Sequence, residues 1–403
     1  MKFFWGFVFL LAICIRLVFV LPESKLDNND SQLRYDPQAK NLISGHGFST
    51  SHEAPYVPDT FDLPGYAFFL GMVYRIGNYN LHLLAVIQAL LEFLTIYILW
   101  RITLLLNFSR ISSLIVIVFA LLCPLLARFT REVLTEVLAT FLTTLSVFFV
   151  LLAIKRNQLF LWFVSGILCG ASLYVRPDLV PVVFLLVIVS FILVRNFRPA
   201  LFFLTACLTL VPWTFRNYTV TGKVLPLARI SEQSKQPFVQ WLNTWVTEYR
   251  EEKQYWHSAK KDRKPDSEYE KLSREAREKH PFRVYALIPT IRVAKVWLYQ
   301  NRYLPKVWKW AFFYLMVYLP LIAAAFGMIV SVFKRVPFML VPFSVIAGRS
   351  LLAFLSALGV EPRYMLEALP QVFLFAGVGV MAILKSLKVA ASNPIFNNQE
   401  AIS

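Results

Sequence analysis

Val137-Leu-Ala-Thr-Phe-Leu-Thr-Thr-Leu-Ser-Val-Phe-Phe-Val-Leu-Leu-Ala-Ile154 runs without a single charged residue. As a helix it would rise about 27 Å, close to the ~30 Å of hydrocarbon in a bilayer. A surface helix of a soluble protein keeps a charged face opposite its apolar one, and this stretch has none. Ile111 to Leu126 reads the same way. The pattern repeats along a chain of 403 residues that is 57% hydrophobic and 16% charged. Spans fall near 3–21, 81–106, 111–127, 137–154, 159–175, 178–194, 199–215, 308–332, 336–357 and 366–384. The expected fold is therefore an all-α polytopic membrane protein with about ten transmembrane helices.

The first stretch, Phe3 to Leu21, lacks a small-x-small cleavage site and carries Trp5 and Arg16, so it reads as a retained helix rather than a removed signal. The four cysteines lie inside apolar stretches and suggest neither disulfides nor a metal site, and the five histidines are scattered. The net charge of +17 does not call for nucleic acid, because topology accounts for much of it. Lys2, Arg110, Lys155 with Arg156, Arg195 with Arg198, Lys334 with Arg335, and Lys385 with Lys388 all fall on one side. By the positive-inside rule that side is cytoplasmic, and both termini are expected there. Of the 24 acidic residues, all but Glu92 and Glu400 then fall on the opposite face or at its boundary.

Three parts follow: an N-terminal transmembrane module, 1–215, with its outer loop at about 22–80; an extracytoplasmic segment, 216–306; and C-terminal helices with a short cytoplasmic tail, 307–403. In the first loop, Pro64 to Tyr74 is amphipathic and too short to span, so it is expected to lie in the membrane interface. In the second, Pro265 precedes a charged helical stretch from Ser267 to Lys279, and Tyr285 to Tyr303 is rich in Trp, Tyr and Arg, as befits a segment on headgroups. Pro177, Pro212 and Trp213 are expected to end helices, and Gly45 and Gly47 to form a turn.

Carboxylates and guanidiniums gather at the outer rim. The loop holds Asp27, Asp30, Asp36, Glu53, Asp59 and Asp62, and helix ends hold Arg131, Glu132, Glu136, Arg176, Asp178, Arg216, Glu361, Arg363 and Glu367. Such a mixture suits proton abstraction by a carboxylate beside arginines that hold a phosphate, although helix ends also carry charges merely to anchor themselves. Glu92 lies mid-span one turn after Gln88 and reads as glue between helices.

The order of short motifs sharpens this. Asp30-Ser-Gln-Leu-Arg-Tyr35-Asp-Pro-Gln-Ala-Lys-Asn-Leu42 and Leu63-Pro-Gly-Tyr resemble the first outer loop of GT-C glycosyltransferases. Leu134-Thr-Glu136, Tyr174-Val-Arg176-Pro177, Val211-Pro-Trp-Thr-Phe-Arg216-Asn217, His280-Pro281 and Pro362-Arg363-Tyr364 follow in the order of the branch resembling protein O-mannosyltransferases and lipid A aminoarabinose and lipopolysaccharide sugar transferases. The resemblance implies a GT-C-like fold with amphipathic outer-face helices in an integral plasma (bacterial inner) membrane. It also implies a polyprenyl-phosphate-linked sugar donor, and a glycan, lipid or protein acceptor served on the outer face with inversion.

Carried over residue by residue, the catalytic aspartate falls on Asp30 and its partner carboxylate on Glu136. Arg176, Arg216 and Arg363, with Tyr35, fall at positions for binding substrate and lipid phosphate. Tyr35 stands five residues after Asp30 where the family more often has four, which keeps Asp27 and Asp36 in play as the base. No metal and no cofactor are expected, and the partners are donor, acceptor and membrane lipids. The rival class is a transporter or flippase, which would usually show paired repeats or broken helices at the midplane; neither is evident.

Overall fold

The computed structural model describes residues 10, 12–17, 30–227, 278–298, 311–355 and 362–391. A π-helical turn, Ser31–Tyr35, leads into α1 (Asp36–Ile43), and the first loop closes with α2 (Gly65–Gly77). Then come α3 (Leu81–Leu105), α4 (Arg110–Leu122), α5 (Pro124–Phe129), α6 (Glu136–Arg156), α7 (Leu159–Val175), α8 (Val180–Val194) and α9 (Pro199–Thr221). After α10 (Ile288–Leu298) the chain continues in α11 (Ala311–Phe333), α12 (Leu340–Leu355) and α13 (Leu369–Ala391). Among the described residues there is no strand, and one isolated bridge joins Ser49 and Pro58.

This is an all-α polytopic membrane protein. Among the described residues seven helices are long and apolar enough to cross a membrane, and Arg110–Leu122 and Leu159–Val175 are shorter apolar helices. These nine coincide with all the expected spans but the first, of which only residue 10 and residues 12–17 are described. Most of the expected Ser267–Lys279 helix, and the end of the Tyr285–Tyr303 segment, lie outside the described residues.

Two expectations are corrected. The run Ile111 to Leu126 is broken at Cys123, because Pro124 has no N–H to donate and starts a new helix as its first residue. Neither Pro212 nor Trp213 ends a helix: α9 passes through both to Thr221, with Gly222 in the left-handed conformation as its cap. Tyr174 Oη donates to the carbonyl of Thr209 at 2.7 Å, next to the disrupted ladder. A side chain from a neighbouring helix thereby serves backbone at the proline, which is how spanning helices tolerate one. Pro177, in contrast, does end α7, and Gly45 and Gly47 turn the loop with φ of 79° and 80°.

The pair expected to glue helices does so. Arg16 Nη2 meets Glu92 Oε1 at 2.7 Å, with both side chains about 4% exposed. The same guanidinium donates to the carbonyls of Ala120 and Leu121 at the end of α4, close to the position where Pro124 withholds a backbone donor. Gln88 Nε2, a turn before Glu92, donates to the carbonyls of Thr130 and Glu132 at 3.0 and 2.8 Å.

The first loop is seated on the bundle by a close backbone approach. A Cβ on Gly65 would lie 2.6 Å from the Tyr174 carbonyl oxygen and 2.8 Å from the Val175 nitrogen. Only glycine permits this contact, and it sets the start of α2 against the end of α7. Helix α2 buries Tyr66, Leu70, Val73 and Tyr74 and leaves Phe68, Met72 and Ile76 exposed.

Candidate functional site: an ionic chain between the first loop and the helix ends

Asp30 immediately precedes the π turn, whose defining bond runs from the Asp36 N–H to the Ser31 carbonyl. A π turn holds one residue more than an α turn. Tyr35, five residues after Asp30, therefore stands about where a residue four on would stand in an α-helix, with its ring edge-on to Tyr66 at 5.0 Å. Arg34 reaches back to Asp30 (Nη1 to Oδ1, 2.7 Å) and forward to Asp62 through two contacts, one of 2.8 Å from Nε. Gln38 Nε2 ties Asp62 to Asp59, at 2.9 and 2.7 Å. The loop's acids are thus bound into a frame around Arg34.

Asp36 belongs to a different contact. Its carboxylate accepts from Tyr74 Oη at 2.7 Å and pairs with Lys40 at 2.8 Å, which turns it toward α2. Asp27 lies outside the described residues.

The helix ends supply a second cluster. Glu136 opens α6 and Arg176 closes α7; Pro177 forces Arg176 out of the helical region, to φ −144° and ψ 105°. Arg176 Nη1 lies 3.3 Å from Glu136 Oε1 and 3.1 Å from Glu367 Oε1, and Nη2 lies 2.8 Å from Asp178. Arg349, in the middle of α12, meets Asp178 at 3.1 Å and Glu367 at 3.4 Å and donates to the Tyr364 carbonyl. The guanidiniums of Arg176, Arg363 and Arg349 surround the Tyr364 ring at 4.7, 5.5 and 6.0 Å. Three arginines and three carboxylates so placed can exist away from water because each charge has an opposite one beside it.

Arg363, on the 3-10 turn Pro362–Ala368, joins the two clusters. Its Nη2 is 2.9 Å from Asp30 Oδ2 and its Nε 3.6 Å from Glu136 Oε1. Exposure rises along this chain: Arg349 and Glu367 side chains 0%, Glu136 2%, Arg363 13%, Asp30 29%. The inner end is buried, and the Asp30 end is partly exposed. Burial alone would raise the Asp30 pKa, but the hydrogen bond from Arg363 and the charges of Arg34 and Arg363 outweigh it, and the carboxyl titrates below the usual aspartate range.

Of the residues expected from sequence, Asp30, Glu136, Arg176 and Arg363 come together, with Tyr35 one turn from Asp30. Arg216 stands elsewhere. It donates to the carbonyls of Asp59 (2.5 Å) and Phe48 (3.3 Å) and lies 4.7 Å over the Trp213 ring, so it braces the first loop on α9. Sequence reasoning gave no role to Arg34, Tyr364 or Arg349. Arg349 had a signal, being a charged side chain inside an apolar span, where a charge is costly unless it has a task. A small pocket is lined by Glu136 and Glu92 together with Thr95, Leu126, Phe129, Val137, Thr140 and Leu366. Among the described residues, no group of three or more His, Cys, Asp or Glu side chains is placed to hold a metal ion.

A helical membrane bundle with a ring of arginine-carboxylate pairs at one end is a site able to take a proton and hold an anion. Residues 57–215 match the family model described as dolichyl-phosphate-mannose-protein mannosyltransferase, and this supports a membrane glycosyltransferase of the GT-C superfamily. That family uses, in general, a polyprenyl-phosphate-linked sugar donor. No curated protein matches the chain.

Proposed function

We propose that the chain transfers a sugar from a polyprenyl-phosphate donor to a hydroxyl-bearing glycan, lipid or protein on the extracytoplasmic face of the membrane, with Asp30 as the base. The observation that carries this reading is the bridge from Arg363 to both Asp30 and Glu136, which joins a partly open carboxylate to a phosphate-binding type of side chain. In the reaction the acceptor oxygen bonds to the anomeric carbon from the side opposite the leaving group, and the carbon-oxygen bond to phosphate breaks. The acceptor proton goes to Asp30, and the bonding pair stays on the phosphate oxygen, whose charge rises from about −1 to −2. Guanidiniums are suited to that growing charge because they stay protonated and make paired hydrogen bonds. Inversion follows from a single displacement.

Glu136 keeps Arg176 and Arg363 oriented, and Tyr35 lies one turn from Asp30 on the π turn. Support for the sidedness comes from the opposite end of the bundle, where Lys155 donates to the Leu105 carbonyl and Arg198 to the Asn157 carbonyl. Those basic links suit the cytoplasmic side, along with both termini. Comparing the cell-envelope glycans with and without the gene would identify sugar and acceptor. Asp30→Asn should then abolish transfer, by 10²-fold or more for loss of a general base, with normal amounts of protein in the membrane. Full transfer by that variant would end the reading.

A further inference from the structure

Both oxygens of Asp30 are occupied by guanidiniums: Oδ1 by Arg34 at 2.7 Å and Oδ2 by Arg363 at 2.9 Å. A carboxylate held this way is a poor base, which conflicts with the role the proposed reaction gives it. The two arginines are held from different elements. Arg34 is fixed from behind by two contacts to Asp62, itself braced by Gln38. Arg363 meets Asp30 through one nitrogen and Glu136 through another at 3.6 Å, on a short 3-10 turn with a partly exposed side chain.

We propose that Arg363 is shared in time between Asp30 and the donor phosphate: the phosphate of the bound donor draws Arg363 off Asp30, so that the base is released only when a donor is seated. The inference rests on the polyprenyl-phosphate reading above. The charge balance favours it during transfer. As the sugar leaves, negative charge disappears from Asp30, which gains the acceptor proton, and appears on the phosphate, which gains the bonding pair. One guanidinium moving from the first to the second follows the charge, and no other group needs to titrate. Among the described residues, the charged groups that pair with Asp30 are Arg34 from its own turn and Arg363 from the 362–368 turn, with Asp62 and Glu136 as the far partners of those arginines. The donor must therefore bind before the acceptor is activated.

Carbodiimides modify protonated carboxyls, so the pH midpoint for dicyclohexylcarbodiimide labelling of Asp30, read by peptide mass spectrometry on the full chain in detergent, reports its protonation. Farnesyl phosphate serves as the donor-like probe and farnesol as its control, with binding of each followed by thermal shift. Farnesyl phosphate should raise the Asp30 midpoint by about one pH unit or more, the size of one nearby charge, and farnesol should not. In Arg363→Gln the midpoint should already be raised without ligand and should move little when farnesyl phosphate is added. Binding of farnesyl phosphate with an unmoved or lowered midpoint overturns the inference and leaves the donor reading standing, as does an equal shift with farnesol. Failure of farnesyl phosphate to bind at all overturns the donor reading and the inference with it.

Discussion

Arg349→Met offers the sharpest test of how the site is held. Arg349 is fully buried, and its guanidinium faces Asp178 at 3.1 Å and Glu367 at 3.4 Å. It also donates to the backbone carbonyls of Tyr364 and Asp178. Replacing it with methionine keeps the apolar stem but leaves Arg176 and Arg363 to face Asp178, Glu367 and Glu136. Each contact is worth about 5 kcal/mol by Coulomb's law at an effective dielectric near 20, but desolvation of the arginine offsets much of that. Measured losses when one partner of a buried pair is removed are about 3–5 kcal/mol, most of it the cost of the stranded charge.

The expected loss of stability is therefore about 3–5 kcal/mol, read from equilibrium unfolding in mixed micelles of rising SDS content. Arg349→Met combined with Glu367→Gln removes one charge of each sign and should recover at least half of it. Recovery by the second substitution separates stranded charge from lost packing, since packing alone would make the two changes additive. A single variant within about 1 kcal/mol of wild type, or a double variant worse than the sum of the singles, would falsify the claim that the inner cluster is balanced charge by charge.

The Arg16–Glu92 pair should behave likewise. Arg16→Leu or Glu92→Leu alone should cost about 3–5 kcal/mol and both together much less; equal losses in all three variants would show that the helices are joined by something else. Sidedness is open to labelling in a cysteine-free background. Glu53→Cys, exposed in the first loop, should react with an impermeant maleimide on intact cells, and Phe197→Cys, 90% exposed at the basic end, only after permeabilisation. The reverse pattern would put the site in the cytosol and remove the basis for the proposed reaction.

Span positions were legible because hydrocarbon imposes one requirement on every residue it touches, and apolar runs report it without knowledge of neighbours. What joins the spans was less legible. Arg363 and Asp30 stand 333 positions apart, and nothing near either residue states that they meet. The two prolines make the same point at close range. Pro124 breaks its helix and Pro212 does not, although both lie in apolar runs. Beside Pro212 a partner from α7, Tyr174, serves the backbone, and that partner cannot be read from the sequence around Pro212. Arg216 shows the converse, since its motif was recognisable while its target proved to be the carbonyls of a loop.

The five-residue spacing between Asp30 and Tyr35 coincides with a π turn. Counted along the chain, five residues instead of four would rotate Tyr35 by about 100° around an α-helix and favour a different aspartate as the residue facing the site. Counted by hydrogen bonds, the ring closed from Asp36 N–H to Ser31 carbonyl holds one residue more than an α turn, which places Tyr35 about one turn from Asp30. Asp36 then falls on the side of Tyr74 and Lys40, and the carboxylate that reaches Arg363 is that of Asp30. Motif spacing within helices is thus a count of turns, and a π turn lets a sequence gain a residue without moving the groups on either side of it.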